Sequence, residues 1–156
     1  MSADLCIKNA KVVTEKEIFD GGVVVVGEKI AEVFKGDRAV EEDEVIDLQG
    51  KLLLPGLIDG HVHLNEPGRS EWEGYETGSR AAAAGGVTTV LDMPLNSTPP
   101  TINRVELTKK RAVAKDQAVV DYAQWGGFVD NNLDSLADLN ADGVIGFKAF
   151  ASNSGV

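Results

Sequence analysis

The sequence has 156 residues, enough for one domain with a proper core, and 25 acidic against 15 basic side chains give it a formal net charge of −10. This acidity argues against a nucleic-acid or anionic-membrane surface, since both need a basic face. A single cysteine excludes an internal disulfide framework, and no apolar run approaches the roughly 20 residues of a membrane span. Because the N-terminus also has no signal-peptide pattern, we expect a cytoplasmic protein.

Residues 1–54 predict a small, mostly antiparallel β domain. Short apolar runs are separated by turn signals such as "GEK", and the runs are "LCI", "KVV", "GGVVVV", "IAEVF", "EVIDL" and "KLLL". Closely spaced strands with few helical signals are typical of such a domain. Cys6 lies in the first run, which favours a buried structural thiol over a nucleophile. The acidic stretch "EEDEVID" at 41–47 is interpreted as a solvated loop that leads into a strand.

From Pro55 onward the pattern changes to an alternation of strands and helices. Helix-compatible stretches separate β-branched apolar runs, which occupy 56–64, 86–94, 118–128 and 143–150. The onsets of these runs are 25–32 residues apart, the spacing of successive βα units in a parallel sheet. Glycines in "AAGG" and "NADG" predict helix ends. No helix follows the last predicted strand, so we expect the architecture to continue beyond residue 156.

The two histidines of the sequence, His61 and His63, both lie in "PGLIDGHVHL", near the end of the first predicted parallel strand. Residues i and i+2 of a strand point to the same side, so the two imidazoles converge where α/β folds place their chemistry. Converging imidazoles are good metal ligands, although ordinary packing is the alternative for a lone His-x-His. Asp59 shares their face, either as a carboxylate that orients a ligand or as a buried structural acid.

Lys148, in "GVIGFKAFAS", is the second unusual residue. Alternation places it on one face of the last strand with Val144 and Phe150, opposite Phe147. A desolvated lysine has a lowered pKa, which makes the neutral amine available for chemistry. The alternative is a lysine at a strand end that reaches into solvent.

Several segments in order resemble the amidohydrolase superfamily, specifically its cyclic-amidase branch of allantoinases, dihydroorotases and hydantoinases. The segments are "PGLIDGHVHLNEPG", "EWEGYETGSRAAAAGGVTTVLDMPLNSTPPT" and "GFKAF". The resemblance implies an α/β fold, a (β/α)8 TIM-type barrel of a metal-dependent hydrolase preceded by a small β domain. Residues 55–156 would supply the first four strands only, since such a barrel takes ~250 residues. Residues 1–54 would be the N-terminal part of the small β domain.

The resemblance also implies a dinuclear metal site. His61 and His63 match the metal pair of the first strand. Lys148 matches a lysine of the fourth strand that takes up CO₂ and becomes a carbamate between two divalent ions, for which zinc is the expected metal. Two further histidines and a general-base aspartate are absent from this chain, which alone is expected to be inactive. At full length we expect a homo-oligomer that acts on a small molecule.

The choice among cyclic amides depends on Asn65, which stands where dihydroorotases carry an arginine that can hold a substrate carboxylate. The resemblance is strongest to allantoinases, which implies ring opening of allantoin to allantoate in purine degradation. Dihydroorotase and hydantoinase (dihydropyrimidinase) activities are alternatives. Asn65 and Asn96 are predicted substrate contacts, with turn chemistry as an equal alternative. Two other classes stay open: a truncated, non-catalytic half-barrel that binds a partner, and an α/β ligand-binding module unrelated to hydrolysis.

Overall fold

The computed structural model describes residues 4–38 and 44–152. The chain divides into two compact units, Met1–Pro55 and Gly56–Val156. This division falls one residue after the boundary expected from the sequence. Within the described ranges, every helix falls short of the length and hydropathy that a bilayer crossing requires.

The first unit is a five-stranded sheet. Strands β1 (Leu5–Val13), β2 (Ile18–Val26) and β3 (Lys29–Lys35) pair antiparallel, while β4 (Glu44–Asp47) and β5 (Leu52–Leu53) both pair parallel with β1. The expected antiparallel pairing is therefore present among the first three strands, whereas the last two depart from it. Alternation with a period of two identifies a strand, but it does not say from which end the chain enters that strand.

The core of the first unit contains Cys6, Val24 and Phe34. Cys6 is fully buried, as predicted for a structural thiol. The predicted tight turn joins β2 to β3, and its Gly27 has a φ of +60°, in the region that favours glycine. Of the predicted acidic loop, residues 41–43 lie outside the described residues, whereas the rest of that stretch forms the exposed strand β4.

The second unit alternates strands and helices. In chain order these are β6 (Leu57–Val62), α1 (Tyr75–Ala84), β7 (Val87–Asp92), α2 (Arg104–Gln117), β8 (Asp121–Gln124), β9 (Gly126–Phe128), a 3-10 turn (Leu133–Ser135), α3 (Leu136–Ala141) and β10 (Phe147–Ala149). Strands β6, β7 and β8 pair parallel in that order, and β9 pairs parallel with β10. Only Trp125 separates β8 from β9. The expected βα rhythm and the expected parallel pairing are therefore both observed.

Glycines follow α1 and α3, as the sequence predicted. Gly86 has a φ of +82° and Gly143 a φ of +77°, values that residues with a Cβ rarely adopt. Helix α2 begins at a side-chain cap, because the Asn103 side chain accepts the backbone N–H of Glu106 at 3.0 Å. These caps end or start each helix sharply and so bring the chain back to the next parallel strand.

Two apolar clusters form the core of the second unit. One contains Leu64, Tyr75, Val90 and Ala114. The other contains Leu107, Leu139 and Val144, with Phe147 packed against it. The alternation that placed Val144 and Phe147 on opposite faces is wrong, because β10 begins only at Phe147 and the period of two does not extend back to Val144.

Candidate functional site

A cavity of about 410 Å³ lies beside the ends of β6 and β7 and beside β10. Parallel α/β sheets place their ligands at the carboxyl ends of strands. The wall contains both histidines, the stretch that follows β7 and residues around Lys148: His61, His63, Met93, Pro94, Leu95, Asn96, Lys148, Phe150 and Ser152. Four of the residues singled out in the sequence, from three separate segments, therefore face one space.

The two histidines lie at the end of β6, His61 within the strand and His63 one residue beyond it. Their ring centres are 5.4 Å apart. The Nδ1 atom of His63 is 2.8 Å from the carbonyl oxygen of Leu95. Because a carbonyl only accepts hydrogen bonds, Nδ1 carries the proton. In its neutral form, a ring with this tautomer presents the lone pair of Nε2, the state in which an imidazole binds a metal ion.

Lys148 reaches the same cavity from β10, with a partly buried side chain. Its Nζ atom lies 5.0 Å from the centre of the Phe150 ring, a cation–π contact. In the described ranges no acidic side chain lines the cavity, and no cluster of three His, Cys, Asp or Glu residues occurs. The cavity thus offers two imidazoles, which suit a divalent cation, and one amine, which would add an anionic ligand if it were carbamylated.

Asp59 lies at the surface beside the first candidate ligand. It is exposed, so the alternative of a buried structural acid is wrong. Its carboxylate accepts the backbone N–H of His61 at 3.0 Å. Asp59 therefore contacts the main chain beside the candidate ligand and does not contact the imidazole through this bond.

The two asparagines predicted to contact the substrate lie in different surroundings. Asn96 lines the cavity, and its Nδ2 is 3.5 Å from the Nδ1 of His63, where two N–H groups face each other. Asn65 is only 5% exposed and has a φ of +55°, and its Nδ2 donates to the carbonyl of Glu73 at 3.4 Å. Asn65 lies outside the cavity wall, which favours turn chemistry for this residue over a substrate contact.

Sequence reasoning missed a buried polar cluster next to the cavity wall. Asp92, at the end of β7, is fully buried, and Lys110 of α2 is 1% exposed, with 2.9 Å between its Nζ and Asp92 Oδ2. The hydroxyl of Tyr75 donates to the same oxygen at 2.7 Å, and the N–H of Leu64 donates to Oδ1 at 3.0 Å. Lys110 also donates to the carbonyl of Met93 at 2.7 Å.

Burial shifts the proton affinities in this cluster. Burial lowers the pKa of Lys110, while the Asp92 carboxylate opposes that change. Burial, and then the charge of Asp92, raise the pKa of Tyr75 well above its usual range, so the hydroxyl stays a donor. One signal could have found the pair: Lys110 shares a helical face with Leu107 and Ala114, where a lysine needs a partner.

Glu66, in the segment that follows His63, is a second buried acid. It is 9% exposed, and its Oε2 accepts the N–H of Tyr75 at 2.7 Å. A carboxylate is favoured there because the first turn of α1 carries the positive end of the helix dipole. The bond ties the segment that follows His63 to α1.

Comparison with known sequences identifies related hydrolases. Residues 50–156 match the family described as Dihydro-orotase-like. The chain is 47% identical over 155 residues to an allantoinase of Escherichia coli (strain SMS-3-5 / SECEC), and the match covers 99% of this chain and 34% of the relative. The chain thus spans about a third of the length of the curated relatives it matches.

Comparison with solved structures identifies hydantoinases. An L-hydantoinase (dihydropyrimidinase) from Arthrobacter aurescens matches with a TM-score of 0.90 at 32% identity, over 98% of this chain and 34% of that chain. A D-hydantoinase from Bacillus sp. AR9 matches with a TM-score of 0.82 at 27% identity, again over 98% and 34%. The described fold is therefore similar to about a third of each hydantoinase chain.

Proposed function

The chain belongs to the dihydroorotase-like family, and we propose that the full-length protein containing it is a metal-dependent cyclic amidohydrolase that opens allantoin to allantoate. The observation that carries this proposal is the 47% identity to an allantoinase over 99% of the chain. The cavity that joins His61, His63 and Lys148 supports it. Family membership argues against an α/β ligand-binding module unrelated to hydrolysis.

For the whole protein we propose a (β/α)8 barrel in which β6, β7, the interrupted strand β8–β9 and β10 are the first four strands. The TM-score of 0.90 to a hydantoinase three times as long supports this architecture. The first unit would be part of the small β domain. The missing ligands, two histidines and a general-base aspartate, would come from the other strands of the barrel.

We expect the reading frame to continue past the codon for Val156, with two further histidines and an aspartate on later strands. A barrel of this kind takes ~250 residues, more than twice the length that follows Pro55. Sequencing of the encoding DNA or its transcript tests this. A stop codon at that position, together with stable expression, would favour the non-catalytic half-barrel that binds a partner.

The metal-ligating side chains in the cavity fit two divalent ions, for which zinc is the proposed metal. His61 and His63 would hold one ion, His63 through the Nε2 that its bond to Leu95 leaves available. The neutral amine of Lys148 would add CO₂ and lose a proton, and the resulting carbamate would supply anionic oxygen ligands for the ions. When bound, the metals would lower the pKa of a water molecule and polarise the ring carbonyl.

The side chains of the cavity wall favour a substrate ring without a carboxylate. With neutral histidines, Lys148 is the one cationic side chain among the described residues of the wall, and carbamylation would make it anionic. Apart from the metal ions, a substrate carboxylate would then have no cationic side chain to bind among the described wall residues, since Asn65 is neutral and lies outside the wall. Allantoin carries no carboxylate, whereas dihydroorotate does. Hydantoinase activity is the second candidate, favoured by the structural similarity.

We expect the purified full-length protein to hydrolyse allantoin with a kcat/KM at least about tenfold above that for dihydroorotate, because a missing charge-assisted hydrogen bond costs about 1.5–3 kcal/mol. Both substrates, together with hydantoin and dihydrouracil, are compared in one metal-loaded preparation. Equal or better turnover of dihydroorotate would contradict the proposed substrate. Faster turnover of hydantoin would favour the hydantoinase alternative.

A further inference from the structure

The ion pair between Asp92 and Lys110 lies in the interior of the second unit. Asp92 is fully buried and Lys110 is 1% exposed, with 2.9 Å between the charged atoms. The desolvation cost of burying two charges offsets most of their attraction. A protein with apolar side chains of similar volume in their place is therefore often as stable or more stable. Stability alone does not account for such a pair, and its remaining contacts show what it holds in place.

Asp92 and its neighbour bind the main chain on both sides of His63. The Oδ1 atom of Asp92 accepts the N–H of Leu64, the residue after His63, at 3.0 Å. The N–H of Met93 donates to the carbonyl of Val62, the residue before His63, at 2.9 Å. The backbone that carries His63 is therefore attached at two points to the segment that starts at Asp92.

Lys110 binds the next part of that segment. Its Nζ donates to the carbonyl of Met93 at 2.7 Å and lies 3.5 Å from the hydroxyl of Ser97. Between these two contacts lies Leu95, whose carbonyl accepts the Nδ1–H of His63 at 2.8 Å. Lys110 thus fixes both ends of the short stretch that orients the imidazole.

We propose that Lys110 and Asp92 are positioning residues for the metal ligand His63. The pair holds the ligand's backbone and the Leu95 carbonyl in one frame, so that Nδ1 stays protonated and Nε2 stays directed to the metal. This inference rests on the proposed metal-dependent function. Under this proposal the buried ion pair affects metal affinity, although neither side chain lines the cavity.

In the full-length protein, Lys110→Met is expected to weaken zinc binding by about 10–100-fold, the range for outer contacts of metal ligands. The readout is chelator competition on metal-free protein that is refilled with zinc in bicarbonate buffer. Hydrolysis at limiting zinc should fall and return at saturating zinc. Lys109→Met is the matched control, because Lys109 is an exposed neighbour on α2 that pairs with Glu106 at 3.0 Å. Its zinc affinity should equal that of the wild type.

The double variant Asp92→Asn with Lys110→Met separates positioning from stability. It removes both charges and keeps an acceptor for the Leu64 N–H, so we expect its unfolding temperature to exceed that of Lys110→Met. Its zinc affinity should still be at least about tenfold weaker than wild type. Wild-type zinc affinity in either variant, once folded, overturns the proposal.

A measurement on the unaltered protein covers the case in which neither variant folds. The ¹⁵N NMR shifts of His63 in metal-free protein should show that the neutral ring carries its proton on Nδ1, and a neutral ring with its proton on Nε2 would overturn the proposal. A wild-type protein that binds no zinc would contradict the proposed function, and this inference with it. Zinc binding that is the same in wild type and variants would contradict this inference alone.

Discussion

Replacing Lys148 by alanine in the full-length protein is expected to lower kcat/KM for allantoin by more than about 100-fold, beyond the 10–100-fold loss typical of changes around metal ligands. The variant removes the amine that would take up CO₂, so the site would lose its anionic oxygen ligands. Lys148 shares its cavity with His61 and His63, which places this amine among the candidate ligands. Initial rates of allantoin hydrolysis at saturating zinc measure the effect.

Rescue by small carboxylic acids distinguishes loss of the Lys148 carbamate from loss of the fold. Acetate or propionate can supply a carboxylate in the space left by the shortened side chain, and we expect partial recovery of activity. Lys115→Ala is the matched control, since Lys115 lies exposed in the last turn of α2, and its activity should be unchanged. Full activity of Lys148→Ala without added acid would rule out the carbamate role.

Replacing Asp92 by alanine is expected to lower the free energy of unfolding by about 3–5 kcal/mol, the cost of leaving a buried charge without its partner. Lys110 would keep its position at 1% exposure. The hydroxyl of Tyr75 and the N–H of Leu64 would lose the acceptors that they reach at 2.7 Å and 3.0 Å. Urea unfolding of the full-length protein gives the difference.

An acid on the surface supplies the comparison for this stability experiment. Asp138 pairs with Arg104 at 3.6 Å, and both side chains are more than half exposed. Exposed ion pairs contribute about 0.2–1 kcal/mol, so Asp138→Ala should change the free energy of unfolding by no more than that. If Asp92→Ala costs as little as Asp138→Ala, the buried network does not stabilise the fold in the way described.

Patterns within single segments predicted most of the elements of the second unit. Apolar runs spaced 25–32 residues apart predicted parallel strands, and strands are present at Leu57–Val62, Val87–Asp92 and Phe147–Ala149. The i, i+2 spacing predicted that the two histidines would face one side, and their rings lie 5.4 Å apart. These predictions succeed because the period of a strand and the rise of its backbone are local properties.

The same local patterns carried no information on which distant groups meet. Asp92 and Lys110 come from different elements, and His63 and the carbonyl of Leu95 are 32 positions apart in the chain. The direction of β4 and the placement of Asn65 outside the cavity wall likewise depend on how the chain returns after a strand. The residues alone specify an α/β alternation with a histidine pair and a lysine suited to metal chemistry. The packing of α2 against the end of β7 specifies the contacts around His63, because partners across elements are chosen by three-dimensional proximity and not by the period of either element.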